Sequence, residues 1–278
     1  MRLPTISGII DRRILANFRI DADSMAAALP RPFRPQLFDG WAIGGICLIR
    51  LKRVRPAFLP ISWGIGSENA AHRIAVEWSE NGETKHGVYI PRRDTNSRLN
   101  SWAGGTIFPG RHHHASFNVI ENGEHYSVTM TSGDAKVHVS GTVAATLPNS
   151  SVFGSVSNAS DFFEQGSLGY SDTKTHGKYD GLELDCSNWH VESLNVDSIQ
   201  SSYFEDTNRF PAGSVEFDCA LLMRNIVTSG MAGRIFAVPQ KSGHNKSMHT
   251  RRRRLTHSAK AMWNAFISDC KWGWLKIV

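Results

Sequence analysis

The chain has 278 residues and a mass of 30.9 kDa, enough for one large domain or two small ones. Its hydrophobic fraction of 41% supports a buried core, while the absence of an apolar run of roughly 20 residues argues against an integral membrane protein, and we expect no signal peptide. The net charge of +6 comes from the end of the chain, because residues 241–278 contain nine Lys or Arg and one Asp (+8) and the first 240 residues therefore sum to −2. The charge of the first 240 residues does not indicate nucleic-acid binding.

Strand patterns dominate the first 100 residues. "RILANFRID" and "WAIGGICLIRL" predict two strands, and Asp21 can cap a short helix between them over "ADSMAAAL". Further along, Asn81-Gly82 joins two strand-like segments and predicts a tight β-hairpin.

The middle of the chain predicts a meander. Its three runs, "HHASFNVI", "HYSVTMT" and "AKVHVSGTV", are separated by short polar turns. A short helix is predicted around "ASDFFEQG", followed by more strands. Sequential hairpins with few helices predict a mainly β (α+β) fold over residues 1–235, an antiparallel β-barrel or double-layered sheet.

Residues 236–278 differ in character from this domain. They contain four consecutive arginines, Arg251–Arg254, followed by apolar residues at helical spacing. The segment predicts a basic tail with an amphipathic helix. Two interpretations stay open, a docking or acidic-membrane contact and an appendage outside the domain, and the second is favoured.

Cysteine and histidine patterns give little support to a metal site. The cysteines form no CxxC pair, which argues against a zinc knuckle or a disulfide framework and favours the cytoplasm. His112 and His114 share one face of a predicted strand and could bind zinc or iron if His138 or Glu124 joined them. No recognised ligand spacing follows, so a polar strand without metal is favoured. No cofactor is predicted.

Two adjacent arginines, Arg92 and Arg93, follow an apolar run and Pro91. A helix is predicted to begin directly afterwards, at "NSRLNSW". A strand–Pro–Arg–Arg–helix junction would bring a cation near helix N–H groups, and both favour an anion. The alternative is a surface cluster paired with Asp94 or Glu77, and composition alone favours this alternative.

The chain resembles the YqjF-like uncharacterised protein family (domain of unknown function 2071) of the acetoacetate-decarboxylase-like superfamily, over roughly residues 8–235. The segments that carry the resemblance are "RRILANFRID", "LPRPFRPQLFDGWAIGGICLIRLKRVRP", "GSENAAHRIAVEW", "GVYIPRRDTNSRLN", "FPGRHHHASF", "DFFEQGSLGYS" and "FPAGSVEFDCALLMR". The resemblance implies an antiparallel β-structure around a cavity.

The resemblance also bears on chemistry. Acetoacetate decarboxylases carry an aromatic residue, a proline and two lysines, the first of which forms a Schiff base with the substrate. Here "YIPRR" occupies that place with one residue inserted after the tyrosine. A guanidinium stays protonated and cannot form that imine. The resemblance therefore implies the fold and an anion site, and the two arginines argue against Schiff-base decarboxylation.

The predicted function is the binding of a small carboxylate or oxo-acid in a cavity, with lyase-like or proton-transfer chemistry or with no turnover. The predicted ligand-binding residues are Arg92, Arg93, Arg12, Arg13, Tyr89 and Arg98, and the predicted acid or base is Glu68. A decarboxylase or lyase that uses a different residue is a further alternative. No nucleic-acid partner is predicted, and a homo-oligomer is compatible with the sequence.

Overall fold

The structure, a computed structural model, describes residues 6–56, 64–98, 110, 112–166, 168–173, 175, 177–186 and 189–237. The tail beyond residue 237 and most of the helix predicted from "NSRLNSW" lie outside the described residues. No helix in the described ranges has the length and hydrophobicity needed to cross a membrane.

Strands make up most of the described chain. They are β1 (Ile6–Ile20), β2 (Arg34–Pro35), β3 (Leu37–Phe38), β4 (Trp41–Pro56), β5 (Ile65–Glu80), β6 (Glu83–Thr95), β7 (His112–His114), β8 (Ser116–Asn122), β9 (His125–Thr131), β10 (Lys136–Ala144), β11 (Leu168–Asp172), β12 (Lys178–Cys186), β13 (Glu192–Ser201) and β14 (Val215–Ala237). The helices of the described part are α1 (Ala22–Ala28) and α2 (Val156–Glu164).

All of these strands belong to one sheet, with hydrogen-bonded neighbours in the order β1-β4-β5-β6-β11-β12-β14-β13-β10-β9-β8. Strand β14 also pairs with β1, and β2, β3 and β7 attach to β5, β4 and β6. The pairings of β6 with β7 and with β11 are parallel, and the other pairings are antiparallel. The predicted mainly β class is confirmed, in a sheet that is mixed.

Local signals predicted several elements correctly. Asn81 and Gly82 both have positive φ (54° and 83°) and connect β5 to β6, as the hairpin signal requires. The Asp21 side chain accepts a hydrogen bond from the Ser24 backbone N–H at 2.8 Å and caps α1. The meander of β8, β9 and β10 is also confirmed. His112–His114, however, form the separate strand β7 beside β6.

Strands β1, β4 and β5 bury side chains on both faces. On the meander face, Ile14, Ile46 and Ala70 belong to the same buried cluster as Val128 and Val139 of the meander. On the helix face, residues of the opposite parity pack with the aromatic side chains of α2. The helix-face residues are Leu15, Cys47 and Ala75, with Phe162 and Phe163 of α2. Near-continuous apolar runs in these strands follow from burial on both sides.

Strand β6 continues through Pro91 to Thr95, so the predicted strand end at Pro91 is wrong. The reason is a β-bulge, in which Arg73 of β5 alone lies opposite Ile90 and Pro91. A proline, which lacks an N–H group, is tolerated where the ladder is interrupted in this way. The flanking pairs are Ile74 with Tyr89 and His72 with Arg92.

Candidate anion-binding site

The arginines predicted from sequence are divided between the two faces of the sheet. Arg92 and Arg93 are neighbours in β6 and point in opposite directions, Arg92 to the meander face and Arg93 to the helix face. The same alternation separates Arg12 from Arg13 in β1. The four side chains therefore belong to two electrostatic environments.

Glu68 lies on the meander face between two arginines. Its Oε2 accepts a hydrogen bond from Arg12 Nη2 at 2.6 Å, and its Oε1 accepts one from Arg50 Nε at 2.6 Å. Both arginines also donate to Glu121 of β8, at 2.5 Å and 2.9 Å. These four side chains form an ion network that joins β1, β4 and β5 to the meander, and both Glu68 oxygens are engaged in it.

Arg92 has two carboxylate partners on the meander face. Its Nε and Nη2 donate to the fully buried Asp94, each at 2.9 Å. Its Nη1 and Nη2 donate to Asp134, in the turn before β10, at 2.9 Å and 2.7 Å. Burial alone would lower the pKa of Arg92, but the hydrogen bonds to Asp134 and Asp94 outweigh it and raise that pKa. The positive charge of Arg92 is therefore compensated by carboxylates. One of them, Asp94, is a partner that the surface-cluster interpretation named.

Tyr89 lies in a different environment from these groups. Tyr89 is buried in the core on the meander face, and its hydroxyl donates to Asp172 at 2.8 Å. Burial and the hydrogen bond to Asp172 raise the pKa of Tyr89. Arg98 is exposed.

Arg93 has no ion pair with any Asp or Glu of the described chain. Its Nε donates to Ser171 Oγ of β11 at 3.1 Å. The side chain keeps part of its surface accessible, yet burial lowers the pKa of Arg93 to about 10. Beside it, burial followed by the charge of Arg93 lowers the pKa of His112 to about 4. At neutral pH, a charged guanidinium therefore lies next to a neutral imidazole.

Arg73 lies two residues from Ala71 on the same face of β5 and is only 4% exposed. Its Nη2 donates to Asn17 Oδ1, and its guanidinium carbon lies 4.5 Å from the ring centroid of Phe163. Its buried Nε has no hydrogen-bond partner in the described chain. Burial lowers the pKa of Arg73 to about 10. This guanidinium, too, has no ion pair with a described carboxylate.

Arg13 completes the set on the helix face. Its Nε donates to Cys47 Sγ at 3.3 Å, and its guanidinium carbon lies 5.7 Å from the ring centroid of Trp189. Cys47 is close enough to Arg73 and Arg93 to influence the pKa of both. We call the cluster of Arg13, Arg73, Arg93 and Cys47 the arginine site.

The register of the strands explains why these residues meet. Cys47 pairs with Ala71, and Ala71 pairs with Arg93, so Arg93 lies two strands from Cys47 in the same row. Arg13 lies in β1 and Arg73 in β5, the strands on either side of β4. Along the strand direction, Arg13 is displaced from that row by two residues one way and Arg73 by two residues the other way. Gly45 allows the close packing here, because an added Cβ would lie 2.5 Å from the Ala16 carbonyl oxygen.

Two other features of the described residues do not form a comparable site. No group of three or more His, Cys, Asp or Glu side chains there is arranged to hold a metal ion. A cavity of about 250 Å³ is lined by Phe18, Phe204, Phe210 and Phe217, with Glu205 as its acidic residue and no Arg or Lys. We place the candidate site at the arginines because their positive charges indicate an anionic ligand. The apolar lining of the cavity indicates no particular class of ligand.

Sequence reasoning missed Arg73 and Cys47. Arg73 occurs in "AHRIAVEW", where it takes the place of a small residue between Ala71 and Ala75 on one face of the strand. An arginine inside a strand that is apolar on both faces was the available signal, because a buried cation needs a compensating partner.

Comparison with known proteins gives a family and a fold. A family model described as an uncharacterized conserved protein, domain of unknown function 2071, matches residues 10–216. No curated protein sequence matches the chain at a significant level.

Several solved structures are similar. Acetoacetate decarboxylase from Legionella pneumophila subsp. pneumophila str. Philadelphia 1 has a TM-score of 0.55 at 10% identity, covering 84% of this chain and 88% of that chain. An acetoacetate-decarboxylase-like enzyme from Sphingomonas wittichii RW1 has a TM-score of 0.50 at 11% identity, with coverages of 84% and 90%. The enduracididine biosynthesis enzyme MppR, complexed with pyruvate, has a TM-score of 0.50 at 11% identity, with coverages of 84% and 91%. The fold is therefore acetoacetate-decarboxylase-like.

Proposed function

The chain belongs to the uncharacterized conserved protein family known as domain of unknown function 2071, a membership that assigns no reaction, and we propose that it binds a small anionic ligand at the arginine site. The observation that carries this proposal is the charge of the site. Three guanidinium groups lie around Cys47, and none forms an ion pair with a described carboxylate. Guanidinium groups bind carboxylates and phosphates through paired hydrogen bonds.

The proposal assigns different roles to the arginines predicted from sequence. Arg93 and Arg13 take part in ligand binding, and Arg73 joins them. Arg92 and Arg12 hold the meander to the rest of the sheet, since their charges are compensated by Asp94, Asp134, Glu68 and Glu121.

Schiff-base chemistry is not part of the proposal. The lysines of the described chain are Lys52, Lys85, Lys136 and Lys178. Lys52 pairs with Asp11 and Lys85 with Glu83, and neither side chain is buried. Lys136 and Lys178 are exposed. A lysine that attacks a ketone needs a depressed pKa, which a buried or cation-flanked position supplies and these positions do not.

Replacing Arg93 with methionine tests the proposal. The variant keeps the length of the side chain and removes its charge. We expect the affinity for small carboxylates such as pyruvate, or for inorganic phosphate, to fall about 10- to 100-fold, because a hydrogen bond to a charged group contributes about 1.5–3 kcal/mol. Isothermal titration calorimetry measures the change.

Arg34→Met is the matched control, since that side chain is 65% exposed and pairs with Glu77 at the surface. We expect its affinity to match that of the unmodified protein. Unchanged binding in Arg93→Met would show that the ligand lies elsewhere.

A second candidate function is proton transfer or lyase chemistry on a small oxo-acid. His112 favours it, because a neutral imidazole beside Arg93 can accept a proton from a bound anion. If the protein turns over an oxo-acid, His112→Gln is expected to lose turnover by about 100-fold or more while the calorimetric affinity stays within about threefold. Binding without turnover in the unmodified protein would identify a ligand-binding or sensing module instead.

A further inference from the structure

The charge of the arginine site restricts the anions that it can hold. Arg73 is 4% exposed, its Nε has no hydrogen-bond partner in the described chain, and its Nη2 has only the neutral amide of Asn17. Arg13 donates to Cys47 Sγ and Arg93 to the Ser171 hydroxyl, and neither of these partners is a carboxylate. The three guanidinium groups therefore lack a carboxylate counter-charge among the described residues. Burying a cation without a counter-charge is unfavourable.

At neutral pH the three guanidinium groups contribute +3. The pKa values of Arg73 and Arg93 fall to about 10, which leaves both groups protonated. Neighbouring His112, whose pKa falls to about 4, adds no charge.

The rest of the sequence offers almost no counter-charge. Residues 1–5, 57–63, 99–109, 111, 167, 174, 176, 187 and 188, which lie outside the described part, include no Asp or Glu. Beyond residue 237 the only acidic side chain is Asp269, within a segment of strongly positive charge. Apart from Asp185, whose side chain lies outside the described part, the carboxylates that form ion pairs do so with cations other than Arg13, Arg73 and Arg93.

A ligand with one negative charge would balance only one of the three guanidinium charges. We infer that the ligand of the arginine site carries at least two negative charges, as a small dicarboxylate or a phosphate does. This inference rests on the proposed function and adds the charge of the ligand to it. Arg93, held by Ser171, and Arg13, held by Cys47, lie in β6 and β1, on opposite sides of the strand β4 that carries Cys47, which suits an anion with two separated charged groups.

Pairs of probes that differ in charge and hardly in size test the inference. Malonate, succinate and the monoamide of each are titrated separately into the unmodified protein by calorimetry. Inorganic phosphate is titrated in the same way as a further dianion. We expect at least one of the two dicarboxylates to bind at least tenfold more tightly than its monoamide. Binding of phosphate but of neither dicarboxylate would retain the inference and assign the dianion to the phosphate class.

Other outcomes contradict one proposal or both. A monoamide that binds as tightly as its dicarboxylate in both pairs would overturn the inference while the proposed anion binding stands. If none of the probes binds, both proposals fail.

A variant locates the effect at the site. Arg73→Met is expected to reduce the ratio between dicarboxylate and monoamide affinities at least threefold, whereas Arg34→Met leaves it unchanged. Should Arg73→Met not fold, Arg13→Met, which alters a less buried side chain, is expected to give the same reduction. An unchanged ratio in a folded variant at either position would overturn the inference.

Discussion

Replacing Asp94 with alanine is expected to lower the free energy of unfolding by about 3 kcal/mol, because it leaves the largely buried Arg92 without its buried carboxylate partner. Asp94 is fully buried and Arg92 is 13% exposed, so little solvent can replace the lost hydrogen bonds. Urea denaturation measures the change.

Asp134→Ala is the matched control for this prediction. Asp134 pairs with the same guanidinium, but it is 67% exposed. An exposed ion pair contributes at most about 1 kcal/mol, so we expect the control to lose no more than that. Equal losses in the two variants would contradict the assignment of Arg92 to a buried structural pair with Asp94.

Lowering the pH from 6.5 to 4 is expected to destabilise the protein by about 3 kcal/mol through His72 alone. His72 is fully buried, and burial, followed by the charges of Arg92 and Arg209, lowers its pKa from 6.5 to about 3. Between these two values the unfolded chain binds a proton that the folded protein does not. Stability is therefore complete above pH 6.5 and is lost as the pH falls towards 3.

Among the described residues, no carboxylate contacts His72 in a way that would reverse this sign. Its ring lies 4.8 Å from the ring of Tyr203, and its Nε2 lies 3.5 Å from Ser201 Oγ. In His72→Gln, the slope of unfolding free energy against pH between 4 and 6.5 should become shallower by about 1 kcal/mol per pH unit. His86→Gln, at an exposed position of β6, should keep the original slope. A slope unaltered in His72→Gln would contradict the prediction.

Local sequence signals were sufficient for much of the fold. Asn81-Gly82 specified a turn because both residues tolerate positive φ, and Asp21 specified a helix start because its carboxylate accepts from a free N–H. These features depend on a few neighbouring residues.

The electrostatic assignment of the arginines could not be predicted in this way. Arg92 is compensated by Asp134, 42 residues later in the chain, and Arg12 by Glu121, 109 residues later. Such pairs depend on how the meander packs on the sheet. Arg73 was overlooked because its importance comes from the absence of a carboxylate partner among the described residues. Neighbouring residues in the sequence do not reveal that absence.

The bulge between β5 and β6 has a consequence for aligning this chain with proteins that lack the residue inserted after the tyrosine. Because Ile90 and Pro91 together occupy the place of one residue opposite Arg73, the two arginines that follow meet His72 and Ala71 just as two residues would after a single proline. The insertion is thus absorbed before the basic pair begins. An alignment gap belongs at Ile90, and a gap placed after Arg93 would match each arginine to a position whose side chain points to the other side of the sheet.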